Sequence, residues 1–123
     1  MSVRVGFIGA GKMATALAKG IVSQGQILKS TKDLLASCPV QDAELLKPIQ
    51  DLGGQTMHDN KALVANSDVV VLAVKPLIIP RVLQEIKKDL DEDKLLVSIA
   101  AGIKIGQIQQ DLDKKNKVRQ NRF

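Results

Sequence analysis

The stretch Val3-Arg4-Val5-Gly6-Phe7-Ile8-Gly9-Ala10-Gly11-Lys12-Met13-Ala14 decides how the rest of this 123-residue chain is read. Its first half, Val3 to Ile8, is apolar and β-branched, broken only by Arg4 and Gly6, and it stops at Gly9-Ala10-Gly11 as a strand stops at a turn. From Lys12 the period becomes helical. Met13, Ala14, Leu17, Ala18, Ile21 and Val22 recur at i, i+3, i+4 spacing until Gly25 signals a stop. A strand, a glycine turn and a helix therefore open the chain.

The same alternation repeats downstream. Leu34, Leu35 and Ala36 form a brief apolar run ended by Pro39, and Leu45, Leu46, Ile49 and Leu52 mark a helix ended by Gly53-Gly54. Gln55 to His58 reads as a short strand, with Asp59 as N-cap of a brief helix through Ala62 and Val64. After Asp68, the unbroken run Val69 to Val74 fits a central parallel strand buried on both faces, ending at Lys75-Pro76. Ile79, Val82, Leu83, Ile86 and Leu90 return to helical spacing. Leu95 to Ile99 is a further buried strand closed by Ala100-Ala101-Gly102, and Ile105, Ile108 and Leu112 mark a last helix. Strands alternating with helices imply βαβ units with right-handed crossovers. The expected architecture is one α/β domain, a Rossmann-type parallel sheet flanked by helices, over residues 1–112, followed by a basic, disordered tail over 113–123.

Ligands of such sheets sit beyond the carboxyl ends of the strands, so the informative residues are those that end each apolar run. Gly9-x-Gly11-x-x-Ala14 has the spacing of a dinucleotide fingerprint. In it Gly9 permits the tight turn, Gly11 lets a pyrophosphate approach the backbone, and small Ala14 lets helix and strand pack closely. The helix beginning near Lys12 offers unpaired N–H groups and a positive dipole end. The second strand ends at Ser37-Cys38-Pro39, with no acidic residue to bind a ribose diol or repel a 2′-phosphate. This favours NADP over NAD, although no arginine stands there either. Cys38 reads equally well as a small turn residue and as a cofactor contact. Lys75 places an ammonium beside the crevice, against the alternative of an ordinary solvated lysine, and His58 reads as a strand-end surface residue rather than a general acid.

Composition narrows the classes further. Phe7 and Phe123 are the only aromatics, which removes the stacking platforms of single-stranded nucleic acid binders. One cysteine and one histidine exclude a disulfide framework and any zinc site of several thiolates, and a reducing compartment is the default. Residues 1–113 balance 13 basic against 13 acidic side chains, and Lys114, Lys115, Lys117, Arg119 and Arg122 supply the whole net charge of +5. Such a cluster reads as a solvated terminus rather than a nucleic-acid arm. No stretch reaches the roughly 20 apolar residues of a membrane span. The strand beginning at Val3 leaves no room for a signal or transit segment, so a cytoplasmic protein is expected, with mitochondria as the alternative.

The runs Val5 to Ala14, Leu72-Ala73-Val74-Lys75-Pro76 and Val97-Ser98-Ile99-Ala100-Ala101-Gly102, with Ala36 to Pro39 and His58 to Lys61, resemble the amino-terminal domain of pyrroline-5-carboxylate reductase. The resemblance covers residues 3 to about 112. It implies that Ile8, Gly9, Ala10, Gly11, Lys12 and Met13 hold the pyrophosphate. It further implies that Ser37, Cys38 and Asn60 lie by the adenosine ribose and any 2′-phosphate, and that Ala73, Val74, Lys75, Pro76, Ile99, Ala100 and Ala101 line the nicotinamide half. The implied reaction is hydride transfer to a cyclic imine in proline synthesis, with no obvious proton donor in this chain. Cys38 departs from the family's frequent second serine.

The family continues into an all-helical domain that forms homo-oligomers and binds the substrate, whereas residues 114–123 do not resemble that continuation. The chain is therefore expected to bind a dinucleotide and to be inactive alone toward pyrroline-5-carboxylate. The alternatives are the cofactor domain of another NADP-dependent reductase or a hydroxyacid dehydrogenase, which would share the glycine turn but not the later runs together, and a non-catalytic dinucleotide-binding or interaction module.

Overall fold

The computed structural model describes residues 3–24, 28–91 and 93–99. Five strands, β1 (Val5–Ile8), β2 (Leu34–Ser37), β3 (Gln55–Met57), β4 (Val69–Leu72) and β5 (Leu95–Ser98), form one sheet in the order β3-β2-β1-β4-β5. Every pairing is parallel. Four α-helices connect them: α1 (Lys12–Gln24), α2 (Lys47–Asp51), α3 (Asn60–Ala65) and α4 (Ile79–Ile86).

The two faces of the sheet bury different sets of side chains, as the period of two requires. Val5 and Phe7 of β1, Leu34 and Ala36 of β2 and Val71 of β4 pack with Ala14 and Ala18 of α1 and with Ile49 of α2. Ile8, Leu35, Val70, Leu72 and Leu96 face the other way, onto Leu63 and Val64 of α3 and Val82 and Ile86 of α4. Helices thus cover both faces, which is why β1, β2 and β4 tolerate runs of consecutive apolar residues. Each fully buried Val, Leu, Ile or Phe side chain among them contributes about 1.5–3 kcal/mol of transfer free energy. Gly6 of β1 permits the close seat of α3, since a Cβ there would stand 2.1 Å from Ser67 Oγ and 3.1 Å from Leu63.

Several boundaries differ from the sequence expectation, each for a local reason. The first strand begins at Val5 rather than Val3, and the fourth ends at Leu72 rather than Val74. Met13 and Leu17 follow the apolar period of α1 but are 64% and 40% exposed, because α1 meets the sheet through the small residues Ala14 and Ala18. The helix expected around Leu45 is a 3-10 segment, Val40–Leu46, that gives way to α2, with Pro48 in its first turn where a missing N–H costs no hydrogen bond. Pro80 has the same place in α4, after a 3-10 turn over Pro76–Ile78. The strand at Leu95 is less buried than its composition predicts. Leu95 is 38% exposed because β5 is the edge of the sheet among the described residues. The helix expected through Ile105, Ile108 and Leu112 and the tail over 113–123 lie outside the described residues. Among the described residues, no helix is long and apolar enough to cross a membrane.

Asp59 caps α3 as its sequence position predicts: its extended backbone (φ −120°, ψ 111°) lets the carboxylate accept from Lys61 N–H at 2.9 Å. With only six residues α3 has little helical cooperativity of its own. Asp59→Ala is expected to cost about 1 kcal/mol, measured by urea unfolding. An unchanged midpoint would mean that packing of Leu63 and Val64 alone holds this helix.

Candidate functional site

The chain leaves β1 for β2 in one direction and later crosses from β3 to β4 on the other side, so the carboxyl ends of β1 and β4 flank a topological switch point. The ladder runs past the strand ends here. Gly9 N–H donates to the Ser37 carbonyl at 2.8 Å, Ala73 N–H to the Ile8 carbonyl at 2.8 Å, and Ile99 N–H to the Leu72 carbonyl at 3.0 Å. Gly9 has φ +100°, and a Cβ on it would lie 2.6 Å from the Ala73 carbonyl oxygen. Its glycine is therefore demanded by the fold. At Gly11 a Cβ would meet nothing within 4 Å. The space above Gly11 is open.

α1 begins directly after that opening. Its first hydrogen bond is Thr15 N–H to the Gly11 carbonyl at 3.0 Å, so the amides of Lys12, Met13 and Ala14 precede the intrahelical ladder. No acidic residue occupies the first turn. A cleft of about 290 Å³ is lined by Gly11, Lys12, Met13, Ala14, Ala73, Val74, Lys75, Pro76 and Ile99. Three segments expected to share a site thus meet in one place. The cleft wall holds two exposed lysines, Lys12 and Lys75, and no carboxylate, and neither lysine has an ion-pair partner among the described residues. A site so built is electropositive, with backbone N–H groups and ammonium groups converging on open space. Ile8 and Ala10 are buried, at 1% and 4% exposure, and support the turn from below rather than line this cleft.

A second cleft, of about 360 Å³, lies on the other flank of the same helix start, between Thr15, Ala16 and Lys19 of α1 and Glu44, Leu45 and Pro48. Sequence reasoning did not single out these residues. The docking of the 3-10 segment on α1 that brings them together leaves no local signature.

The end of β2 forms a separate polar cluster that lines neither cleft. Ser37 is fully buried, and its hydroxyl donates to Asn60 Oδ1 at 2.6 Å across 23 residues of sequence. Asn60 is the partly exposed member of the pair. Cys38 is held from three sides: its N–H donates to the Met57 carbonyl at 3.3 Å, its thiol to the Asp42 carbonyl at 3.3 Å, and its own carbonyl lies 2.8 Å from His58 Nδ1. A carbonyl only accepts, so His58 Nδ1 carries a proton and donates. This contact, and the return of Asp42 to the strand end, are invisible in the spacing. The acidic residue usual directly after the second strand is absent, yet the 3-10 turn brings Asp42 alongside. Ala100 and Ala101 lie outside the described residues. No group of three or more His, Cys, Asp or Glu suited to a metal ion gathers among the described residues.

Burial, and secondly the nearby Asp42 charge, push the Cys38 thiol above its ordinary value of 9.0. The folded state therefore holds this proton more tightly than the unfolded chain does. The associated stability is fully present below about pH 9 and lost as pH rises through the raised folded value. Urea unfolding at pH 8 and pH 10 is expected to show a loss that Cys38→Ala reduces. Equal losses in both proteins would assign the alkaline slope to other groups.

The strand order, the glycine turn at the switch point and the helix start behind it define a doubly wound domain of the Rossmann type. Residues 4–102 match the family model described as NADP oxidoreductase, coenzyme F420-dependent, and the chain belongs to that family. It is 42% identical over 108 residues to pyrroline-5-carboxylate reductase 2 of Rattus norvegicus, a match that covers 88% of this chain and 33% of that protein. The crystal structure of Plasmodium falciparum pyrroline carboxylate reductase with NADP bound is 33% identical with a TM-score of 0.70, covering 88% of this chain and 37% of that one. The pyrroline-5-carboxylate reductase of Coxiella burnetii is 30% identical with a TM-score of 0.77, over 93% and 41% of the two chains. The chain spans about a third to two fifths of the length of these relatives.

Proposed function

We propose that this chain is the NADP-binding domain of a pyrroline-5-carboxylate reductase, with NAD as the weaker ligand. The observation that carries the reading is the electropositive cleft at the start of α1, where Gly11 leaves the backbone open and Lys12 and Lys75 stand without carboxylates. The likeness to a reductase solved with NADP supports it. In this reading the amides of Lys12, Met13 and Ala14 bind the pyrophosphate, and Gly9, Ala10 and buried Ile8 hold the turn that presents them. Ala73, Val74, Pro76 and Ile99 orient the nicotinamide and exclude water from one of its faces, while Lys75 stabilises the negative charge nearby. Ser37, Cys38 and Asn60 form the adenosine end. When bound, the cofactor supplies a hydride, and the substrate assigned to it is the cyclic imine pyrroline-5-carboxylate.

Reduction and homo-oligomer formation are assigned to this domain together with the region that makes up the rest of the relatives' length. The domain of this reading is residues 1–112, and 113–123 are the basic segment that follows it. The free thiol of Cys38 suits a reducing compartment, the cytoplasm is the compartment this reading assigns, and cell fractionation distinguishes it from mitochondria.

Titration with NADPH and NADH tests the cofactor reading. The chain has no tryptophan or tyrosine, so the nicotinamide's own emission is followed without protein background. Saturable binding with NADPH tighter than NADH is expected. Binding of neither would remove the dinucleotide from the argument.

A further inference from the structure

Lys12, Thr15, Ala16 and Lys19 stand at i, i+3, i+4 and i+7 and so share one face of α1. That face forms one wall of the second cleft, and the 3-10 segment after β2 contributes the other through Glu44 and Leu45. The end of β2 anchors this segment, because the Cys38 thiol donates to the Asp42 carbonyl within it. Gly11 and Lys12 line both this cleft and the one that reaches Lys75 and Ile99, so the two spaces meet at the start of α1. A dinucleotide with its phosphates over the amides of Lys12, Met13 and Ala14 therefore has open space on either side, one for each nucleoside.

The second cleft carries charges of both signs. Lys12 and Lys19 lie on the α1 wall, about 10 Å apart along the helix axis at 1.5 Å per residue, and Glu44 is the one carboxylate of the lining. All three are exposed, and none has an ion-pair partner among the described residues. Asp42, although close to the end of β2, does not line the cleft. Leu45, 46% exposed, and Pro48 add an apolar surface beside the charges. An apolar surface suits a flat base. A carboxylate accepts from a ribose 2′-hydroxyl and repels a phosphate at the same position, and an ammonium group does the reverse.

We propose that the second cleft receives the adenosine half of the dinucleotide, with Leu45 and Pro48 against the base and with Lys19 and Glu44 as opposed specificity-determining residues at the ribose 2′ position. Lys19 favours a 2′-phosphate. Glu44 favours a free 2′-hydroxyl and weakens binding of the phosphorylated form. Cys38 acts on this half by anchoring the segment that carries Glu44 and Leu45. The proposal rests on the dinucleotide-binding reading above and adds to it the cleft and the two residues that set the choice between NADP and NAD.

Adenosine 2′,5′-bisphosphate and adenosine 5′-monophosphate probe this half alone and differ only in the 2′-phosphate. Added to the nitrogen-labelled full chain, the bisphosphate is expected to shift the amide NMR signals of Thr15, Ala16, Lys19 and Leu45 and to leave that of Lys75 in place. Shifts at Ser37, Cys38 and Asn60 with those of the cleft unchanged would overturn the placement, as would no shift at all in a chain that binds NADPH. Displacement of NADPH, followed by the nicotinamide emission, gives the two affinities. The preference for bisphosphate over monophosphate should fall about two- to fivefold in Lys19→Gln and rise by about the same factor in Glu44→Gln, the scale of one solvent-exposed charge pair. A loss of folding or of overall affinity does not move this ratio in opposite directions. A ratio unchanged in either variant would remove that residue from the specificity role. Failure of the wild type to bind either NADPH or NADH would instead overturn the cofactor reading on which the proposal rests.

Discussion

Replacing Gly11 by valine is expected to leave the domain folded while weakening NADPH binding by about 30- to 150-fold, the loss of roughly 2–3 kcal/mol of charge-assisted hydrogen bonding. A Cβ at position 11 meets nothing within 4 Å, and the residue is outside the positive-φ region, so the free protein has no steric or backbone objection to a side chain. Gly11 lines both clefts that flank the start of α1. A valine there would occupy the space through which a pyrophosphate reaches the amides of Lys12, Met13 and Ala14. Unfolding followed by far-UV circular dichroism should differ by no more than about 0.5 kcal/mol, the usual scale of an unstrained surface change. Retained NADPH affinity, within threefold of the wild type, would show that the phosphates sit elsewhere.

Two residues earlier the outcome reverses. Gly9→Ala is expected to destabilise the fold by about 3–5 kcal/mol, combining backbone strain at positive φ with overpacking. The new Cβ would stand 2.6 Å from the Ala73 oxygen and 2.9 Å from its carbonyl carbon, both backbone atoms that no rotamer change moves aside. Relief requires separating the ends of β1 and β4, where Ala73 N–H bonds the Ile8 carbonyl. A loss of this size is a large share of the 5–15 kcal/mol typical of a whole domain. The chain's single cysteine gives a second readout. Cys38 is buried, so its alkylation reports opening of the fold and should accelerate markedly in Gly9→Ala but not in Gly11→Val. An unfolding midpoint for Gly9→Ala equal to that of the wild type would mean that the turn relaxes at no cost. The pair separates two reasons for a glycine, one set by the protein's own backbone and one by a ligand.

The parallel α/β architecture, the turn at Gly9 to Gly11, the helix starting at Lys12 and the cap at Asp59 were legible in the residues themselves. Each is a local demand: burial writes a period into the chain, a positive φ asks for glycine, and a helix end asks for a side-chain acceptor. Boundaries were less legible where one composition serves two purposes. Ala73 and Val74 continue the apolar run of β4 but line the cleft, and apolarity alone does not distinguish pairing in a sheet from facing a ligand. Likewise Met13 and Leu17 keep the period of a buried face, yet stay exposed because alanines bring α1 close to the sheet.

What the chain's order concealed was which side chains meet. The register Ile8↔Ser37 and Ile8↔Leu72 sets Gly9 between the ends of β2 and β4, and this places Lys12, Lys75 and Ile99 around one cleft. The same parallel register carries Ser37 to Asn60 and the Cys38 carbonyl to His58, pairs separated by 23 and 20 residues. Such contacts depend on crossover connections that stack distant strands side by side, and no local pattern records that alignment. Backbone and burial demands that act residue by residue are enough to fix the order of strands and helices and the glycine turn. The electropositive cleft and the hydrogen-bonded clasp at the end of β2 arise only on folding, because both need strands far apart in the chain to share one edge.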